Sequence, residues 1–405
     1  MKQGRFEAVR GTGLLAVTAL VCLSACNEKE PKPEPGTQPG KAEATRVELL
    51  KAVSSCVQLS ADDFQVAARE LKAATAELAA RPEAGTRQAA RQAFQRAMDA
   101  WQAMEVMQIG PAAPRLLPGG ADIRDNIYSW PLVSRCAVEE QIVSKGYEST
   151  SFPTGIISRR GLFALEYLLF HEGADTGCPS TSSIVAEGTW AALSAEEREA
   201  RKRAYAAVAA ADVHQRALQL VEAWAPGKGN FAGTFETAGA GNAVYPTSQA
   251  ALNAVSDALF YIEETVKDKK VARPLGLREC STPTCPELLE SPFTHRAKAN
   301  IAANLSGYRR LALGCALGNS GMGFDDLLQA VGTEPLATKL TERVAVAQAA
   351  LEAVEEADLA QALAQDKPSV RAVYDGLKGV TDVMKTELAT VLDLELPAAV
   401  EGDND

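Results

Sequence analysis

The stretch Arg201–Trp224 reads RKRAYAAVAAADVHQRALQLVEAW, and its periodicity decides the fold class. Its apolar residues recur every three or four positions, at Ala206, Ala210, Val213, Ala217, Leu220 and Trp224. This spacing places them on one face of an α-helix, whereas a half-buried strand would alternate every second residue. The many alanines favour helix formation and allow close packing between helices. The stretch therefore predicts a long helix with one face in a core.

The same periodicity recurs on both sides of this stretch. It covers Arg91–Met107, with Phe94, Met98, Trp101 and Met104 on one face, then Leu252, Val255, Leu259, Ile262 and Val266, then Ile301, Leu305, Tyr308, Ala312 and Cys315, then Leu340, Val344, Ala347, Leu351, Val354 and Ala357, and finally Val370–Leu392. No stretch alternates β-branched residues as a strand would. The sequence therefore predicts an all-α protein.

One irregular stretch interrupts this series of helices. Ala225–Pro246 has five glycines before Asn242 and only scattered apolar residues. Such a long irregular segment marks a boundary or a functional loop. We therefore predict two helical-bundle halves packed together, residues 43–230 and 231–405.

The N-terminus has the composition of an export signal. Lys2, Arg5 and Arg10 precede the apolar run Leu14–Leu23, which is shorter than the roughly 20 residues of a membrane span. Leu23–Cys26, LSAC, looks like a bacterial lipobox. We predict a signal peptide over residues 1–25 and a lipid on Cys26. The alternative is an ordinary cleaved signal with a chance cysteine.

The residues after Cys26 have the composition of a tether. Residues 26–42 are polar and contain four prolines, at Pro31, Pro33, Pro35 and Pro39. Such a segment is stiff and extended and cannot form a core. Asn27 is not the aspartate that usually retains a lipoprotein in the inner membrane. We therefore predict an envelope protein, lipid-anchored to the outer membrane and facing the periplasm.

The charge of the chain excludes some partners. Fifty-two acidic against 41 basic residues give a formal net charge of −11. Nucleic acids need a basic face, so they are excluded as partners, and anionic lipid headgroups are disfavoured for the same reason.

The cysteines fit an exported protein. Of eight, Cys22 would leave with the signal peptide and Cys26 would carry lipid, which leaves Cys56, Cys136, Cys178, Cys280, Cys285 and Cys315. An even number in an exported chain predicts disulfides. Zinc is the rival, but the three histidines, His171, His214 and His295, lack the spacing of a structural zinc site. Cys280 and Cys285 are predicted to form a local bridge, and the other pairings stay open.

Glu166 is the most informative candidate for chemistry. It lies in the apolar segment Arg159–Phe170, and a carboxylate there is costly to bury without a partner. The partner could be a metal, a proton, or Arg159 or Arg160. An ion pair that ties helices together is the structural alternative to a functional site.

Two further segments carry candidate residues. Asp122–Pro131 includes Asp125 and Trp130, and Pro131 favours extended backbone at Trp130, which could present the indole to a groove. A tryptophan packed beside a helix cap is the alternative. Glu290 and Ser291 precede the predicted helix Phe293–Cys315, and Ser291 is better interpreted as its N-cap.

Short motifs follow one another along the chain in a characteristic order. They are Trp101 with Gly110–Pro111, Trp130–Pro131, Arg160–Gly161 through Phe170, Pro274–Gly276, Glu290–Ser291, and Asn304–Leu305 with Gly307. This order resembles the imelysin family of iron-regulated bacterial envelope proteins, and the resemblance covers about residues 47–395. It implies an all-helical protein of two bundle-like halves with a site between them. It also implies a role in iron or haem acquisition beside a transport system, whose proteins would be its partners.

The segments singled out above supply the residues that we expect at such a site. The ligand-binding candidates are Glu166, Arg160, Trp130, Asp125, Glu290 and Ser291, with iron or haem as the ligand. The family's peptidase signature Gly-x-His-x-x-Glu falls on Gly161, Phe163 and Glu166, so its histidine is absent. Phenylalanine cannot ligate a metal, and we therefore expect a non-catalytic binding or accessory protein. The alternatives are a metallopeptidase-type hydrolase, with His214 or His295 folded back beside Glu166, and a structural or partner-binding envelope protein.

Overall fold

The computed structural model describes residues 39–398 and 400, except for 240, 317 and 319. Every regular element in these residues is a helix, which confirms the all-α prediction. The predicted signal peptide, Cys26 and most of the predicted tether lie outside the described residues.

The helices vary widely in length. They are α1 Pro39–Ala80, α2 Ala84–Glu105, α3 Ile123–Ile127, α4 Arg135–Ser144, α5 Gly161–Phe170, α6 Ser183–Ala186, α7 Thr189–Ala192, α8 Ala195–Trp224, α9 Phe231–Glu236, α10 Ser248–Leu259, α11 Arg273–Leu275, α12 Ala297–Leu313, α13 Phe324–Ala330, α14 Glu334–Glu352, α15 Leu359–Gln365, α16 Lys367–Val383 and α17 Ala389–Leu392. Two π-helical segments, Ile262–Ala272 and Met384–Leu388, follow α10 and α16. Because α1 begins at Pro39, the last residues of the predicted tether are helical.

The long helices form two packed groups. In the first group α1 lies along α2 and α8, and α5 packs on α8. The stripe predicted for α8, from Ala206 to Trp224, is fully buried. The Ser194 hydroxyl begins that helix by accepting from the Glu197 N–H (3.1 Å). The second group contains α12, α14, α16 and the segment Ile262–Ala272, with α14 and α16 as its closest pair.

The two groups share one hydrophobic core. Helix α12 of the second group crosses α2 of the first, and α1 contacts α10 and α13. A Cβ at Gly307 would lie 2.1 Å from the carbonyl oxygen of Ala103, so only glycine lets α12 approach α2 this closely. The predicted division between residues 230 and 231 stays a prediction.

Several predicted helices are broken in the structure. The stripe from Leu252 to Val266 changes from α-helix to π-helix after Leu259, and the helix predicted over Val370–Leu392 contains the second π-helical segment. The predicted irregular stretch Ala225–Pro246 contains α9. Its aromatic residues are the cause, because Phe231 and Phe235 pack edge-on against Trp224, with ring centroids 5.0 and 6.0 Å away.

Three disulfides join the six predicted cysteines. Cys280–Cys285 is the local bridge that the sequence predicts. The other pairs, left open by the sequence, are Cys136–Cys178 and Cys56–Cys315. Cys56–Cys315 ties α1 to the residues after α12. No helix among the described residues is long and apolar enough to cross a membrane.

Candidate functional site

A buried lysine lies at the centre of a polar cluster between the two helix groups. Lys270, in the segment Ile262–Ala272, is 1% exposed. Its Nζ donates to Oε1 of Gln102 on α2 (2.6 Å) and to Oδ1 of Asn304 on α12 (2.9 Å). It also lies 3.0 Å from Oε2 of Glu290. Charge and hydrogen bonds together offset the cost of burying this ammonium group.

The amide side chains extend the cluster. Nε2 of Gln102 donates to Oε1 of Glu290 (3.0 Å), and Nδ2 of Asn304 donates to the backbone oxygen of Gln102 (2.8 Å). All three side chains are buried. Glu290 therefore holds helices together inside the protein, and it does not line an open groove.

Glu105 connects this cluster to Arg124. Its Oε1 accepts from Nη2 of Arg124 (2.6 Å), and its Oε2 lies 3.8 Å from Nζ of Lys270. Arg124 also donates to Oδ1 of Asp125 (2.8 Å) and to the backbone oxygen of Trp130 (2.9 Å). These bonds fix the segment from α3 to Trp130 against the buried charges.

Glu166 bonds to a turn of the chain and to neither of the two arginines considered as its partners. Its Oε1 accepts the backbone N–H groups of Phe293 (3.1 Å) and Thr294 (2.9 Å) and the hydroxyl of Thr294 (2.7 Å). Its Oε2 is buried without a hydrogen-bond partner among the described residues. Burial raises the pKa of Glu166 to about 7; the bonds from Thr294 and Phe293 oppose this rise, and the charge of Glu290 adds to it.

Arg160 does not pair with Glu166, which corrects the prediction. Its Nη1 lies 3.0 Å from Oδ2 of Asp212 on α8, and its Nη2 donates to Oδ1 of Asn126 on α3 (2.6 Å). Side chains pair along a helix when they are three or four residues apart, and these two are six apart. Gly161 adds to the separation, because its φ of +73° turns the chain at the start of α5.

Ser291 does not cap a helix, which is a second correction. The following helix, α12, begins only at Ala297. Ser291 has a left-handed φ of +57°, and its hydroxyl accepts from Nδ2 of Asn300 (3.0 Å). The turn from Ser291 to His295 presents the two N–H groups that Glu166 accepts, so it separates Ser291 from the helix.

Next to the buried cluster is an open cavity of about 450 Å³. Asp125 and Trp130 line it, as do Tyr261 and Pro397 from the later part of the chain. Trp130 is only 6% exposed, so its ring is both packed in the core and part of the cavity wall. The other predicted site residues, Glu166, Arg160, Glu290 and Ser291, do not line the cavity.

The cavity includes residues that the sequence analysis missed. They are Asp257, Tyr261, Glu264, Lys269 and Glu395. Asp257 and Glu264 lie within the apolar helical stripe from Leu252 to Val266, and the run Glu-Glu-Thr-Val-Lys-Asp-Lys-Lys from 263 to 270 is densely charged. This high density of charged residues within a helix of the core was the sequence signal that could have indicated the site. The π-helical geometry of this run could not be read from it.

The signature that the family resemblance implies does not fit a metal in this chain. Phe163, at the position of the signature histidine, packs its ring 6.3 Å from that of Phe293. Oε1 of Glu166 accepts three hydrogen bonds, and no two further ligating side chains join its Oε2 among the described residues. Within the described part of the chain no three His, Cys, Asp or Glu side chains converge to hold a metal ion.

The histidines are engaged elsewhere. Nε2 of His171 lies 3.1 Å from Arg135, and Nε2 of His214 lies 3.1 Å from Gln65. Nδ1 of His295 lies 3.1 Å from Asp358. Neither His214 nor His295 folds back onto Glu166, as a metallopeptidase-type site would require.

Comparison with known proteins identifies similar chains. The family model described as Imelysin matches residues 57–384, well over half of the chain. An imelysin-like protein from Psychrobacter arcticum 273-4 is 18% identical, with a TM-score of 0.65 over 88% of this chain and 98% of that one. A protein from Parabacteroides distasonis ATCC 8503, described as an iron-regulated protein A precursor, is 13% identical, with a TM-score of 0.62 over 87% and 97% of the two chains. No curated protein matches.

Proposed function

We propose that this chain, which belongs to the imelysin family, is a binding or accessory protein of iron acquisition rather than a peptidase. We also propose that it is lipid-anchored and faces the periplasm. The similar chain from Parabacteroides distasonis is described as iron-regulated, which supports the link to iron. Proteins of an iron-transport system are the proposed partners.

One observation carries the non-catalytic part of the proposal. Oε1 of Glu166 accepts hydrogen bonds from the backbone of Phe293 and from the backbone and hydroxyl of Thr294. The ring of Phe163, at the position of the signature histidine, packs near the ring of Phe293. A catalytic zinc site needs about three protein ligands and an open position for water. In this chain the same positions hold a turn in place.

The cavity is the proposed ligand site. It lies where residues before and after α8 meet, and it is open to solvent while the charged cluster beside it is buried. Cavities of this size, with a few polar groups among apolar walls, are the usual form of a small-molecule site.

The proposed location rests on the N-terminal sequence. A basic start, a short apolar run and LSAC ending at Cys26 support export and lipid attachment, and Asn27 supports the outer membrane. Mass spectrometry of the mature N-terminus tests this. We expect a lipidated Cys26 as the first residue, and an unmodified Cys26 would contradict the anchor.

A metal titration tests the proposal against the peptidase alternative. The purified full-length protein, Glu166→Gln and the exposed control Glu287→Gln are each loaded with Fe²⁺ or Zn²⁺ and desalted. Metal content and cleavage of a casein substrate are then measured. We expect no stoichiometric metal that depends on Glu166 and no cleavage. One equivalent of metal that is lost only in Glu166→Gln, together with cleavage, would overturn the proposal.

A further inference from the structure

The unpaired charges around the cavity are mostly negative. Asp257 and Glu264 are half-buried and Glu395 is exposed, and none of the three carboxylates makes a hydrogen bond or an ion pair with the described residues. Most other half-buried acids of this chain do have such a partner; Glu199, for example, accepts from Lys202 and Arg87. A partly desolvated carboxylate without a partner favours a cation beside it.

The positive groups at the cavity do not cancel these charges. Arg124 is already held by Glu105 and Asp125. That leaves Lys269, whose pKa is lowered by burial against the opposing charge of Glu264, and whose Nζ lies more than 4 Å from every carboxylate oxygen of the described residues. Three unpaired carboxylates against one ammonium group make the cavity an anionic environment.

Two aromatic rings complete the wall. Trp130 and Tyr261 both line the cavity, and Nζ of Lys270 lies 5.7 and 5.8 Å from their ring centroids on the side of the buried cluster. Tyr261 is 7% exposed, and the charge of Glu105 adds to burial in raising the pKa of its hydroxyl. Aromatic faces beside carboxylates are the combination that binds ammonium and guanidinium groups.

We propose that this cavity binds an organic cation, with an ammonium or guanidinium group between Asp257 and Glu264 and its apolar body against Trp130 and Tyr261. A bare metal ion fits less well, because no three acidic or other ligating side chains converge within the described residues. An anion would meet three unpaired carboxylates. This inference rests on the proposed function only in taking the cavity as the ligand site.

Three probes that share a six-carbon chain test whether the cavity prefers a positive, a neutral or a negative group. Hexylammonium, 1-hexanol and hexanoate are titrated into the full-length protein in detergent by isothermal calorimetry at pH 7.5. We expect hexylammonium to bind at least tenfold more tightly than the other two. Equal affinities, tighter binding of hexanoate, or no binding of hexylammonium at millimolar concentration would overturn the proposal.

Variants then locate the binding. Asp257→Asn with Glu264→Gln should weaken hexylammonium at least tenfold, whereas Asp257→Glu should retain binding because it keeps the charge. Asp325→Asn is the matched control, since Asp325 is also a half-buried carboxyl with a raised pKa but lies outside the cavity. Circular dichroism confirms that each variant is folded. Unchanged affinity in the folded double variant would overturn the site.

Failure of the cation-binding proposal can be distinguished from failure of the proposed function. If hexylammonium does not bind but a deletion strain is impaired under iron limitation, the ligand class is wrong and the function stands. If hexylammonium binds as expected but the deletion strain is unimpaired, the cation site stands and the link to iron is wrong.

Discussion

At the scale of single residues, Glu166 is held by a turn that is distant from it in the sequence. With Phe163 in the place of the signature histidine, the carboxyl group accepts bonds from the turn at Phe293 and Thr294. Its raised pKa, about 7, comes mainly from burial. A buried carboxyl with such a pKa makes the stability of the fold depend on pH.

Replacing Glu166 should remove that dependence. The pKa rises from 4.5 on folding, so the unfolded chain loses its proton first and stability falls as pH rises from about 4.5 to about 7. The free energy of unfolding of Glu166→Gln relative to wild type should therefore increase by about 3 kcal/mol between pH 4.5 and 8. Urea unfolding at both pH values measures it. Glu287→Gln, at an exposed site, should show no such change, and a flat difference for Glu166→Gln would contradict the assignment.

The ionised carboxylate of Asp257 is predicted to lower the stability of the fold, although it favours the binding of a cation. Burial, together with the charges of Glu395 and Glu264, raises its pKa to about 6, so its ionisation costs stability as pH rises from about 3.8 to about 6. Because the group is partly exposed, Asp257→Asn should stabilise the fold at pH 7.5 by only about 1 kcal/mol. Thermal unfolding measures this without ligand. A loss of stability in Asp257→Asn would show that the carboxylate has a partner.

At the scale of elements, the π-helical segment Ile262–Ala272 organises the region. It presents Lys269 to the cavity and Lys270 to the buried cluster, although the two are adjacent in sequence. A regular helix was predicted here from the apolar stripe, and the stripe is indeed buried. The stripe does not distinguish an α-helix from a π-helix, and the partners of Lys270 on α2 and α12 are distant in sequence.

The two lysines should differ sharply on substitution. Lys270→Met removes the cation between Glu290 and Glu105 and leaves buried carboxylates unpaired, which should cost about 3–5 kcal/mol of unfolding free energy. Lys269→Met is the matched control and should change it by less than about 1 kcal/mol. Urea unfolding of both variants checks this. Adding Glu290→Gln to Lys270→Met should recover part of the loss, and similar costs for the two lysines would contradict the described cluster.

At the scale of the whole molecule, the disulfides differ in the length of chain that they close. Cys56–Cys315 spans 259 residues and Cys280–Cys285 spans 5. In the chain-entropy estimate these correspond to about 5.6 and about 2 kcal/mol of stabilisation. Replacing both cysteines of each pair with serine should therefore cost more for the long bridge, as measured by urea unfolding under oxidising conditions. A larger loss for the short bridge would contradict this order.

The fold was more predictable than the site. Helical stripes such as the one from Ala206 to Trp224 need only local spacing, and they are buried as predicted. The cysteine pairings beyond Cys280–Cys285 and the contact of Glu166 with Thr294 join residues far apart in the chain, so no local pattern contains them. Trp130 and Asp125 were predicted at a site and line the cavity, but the residues opposite them come from beyond position 250.

Growth under iron limitation tests most directly the central claim that this chain is a non-catalytic component of iron acquisition. A strain lacking the gene should grow normally in iron-replete medium and poorly in medium with an iron chelator. Wild-type protein and Glu166→Gln should both restore growth, because the proposal gives the carboxylate no chemical step to perform. Unimpaired growth of the deletion strain under chelation, or failure of folded, normally abundant Glu166→Gln to restore growth, would contradict the claim.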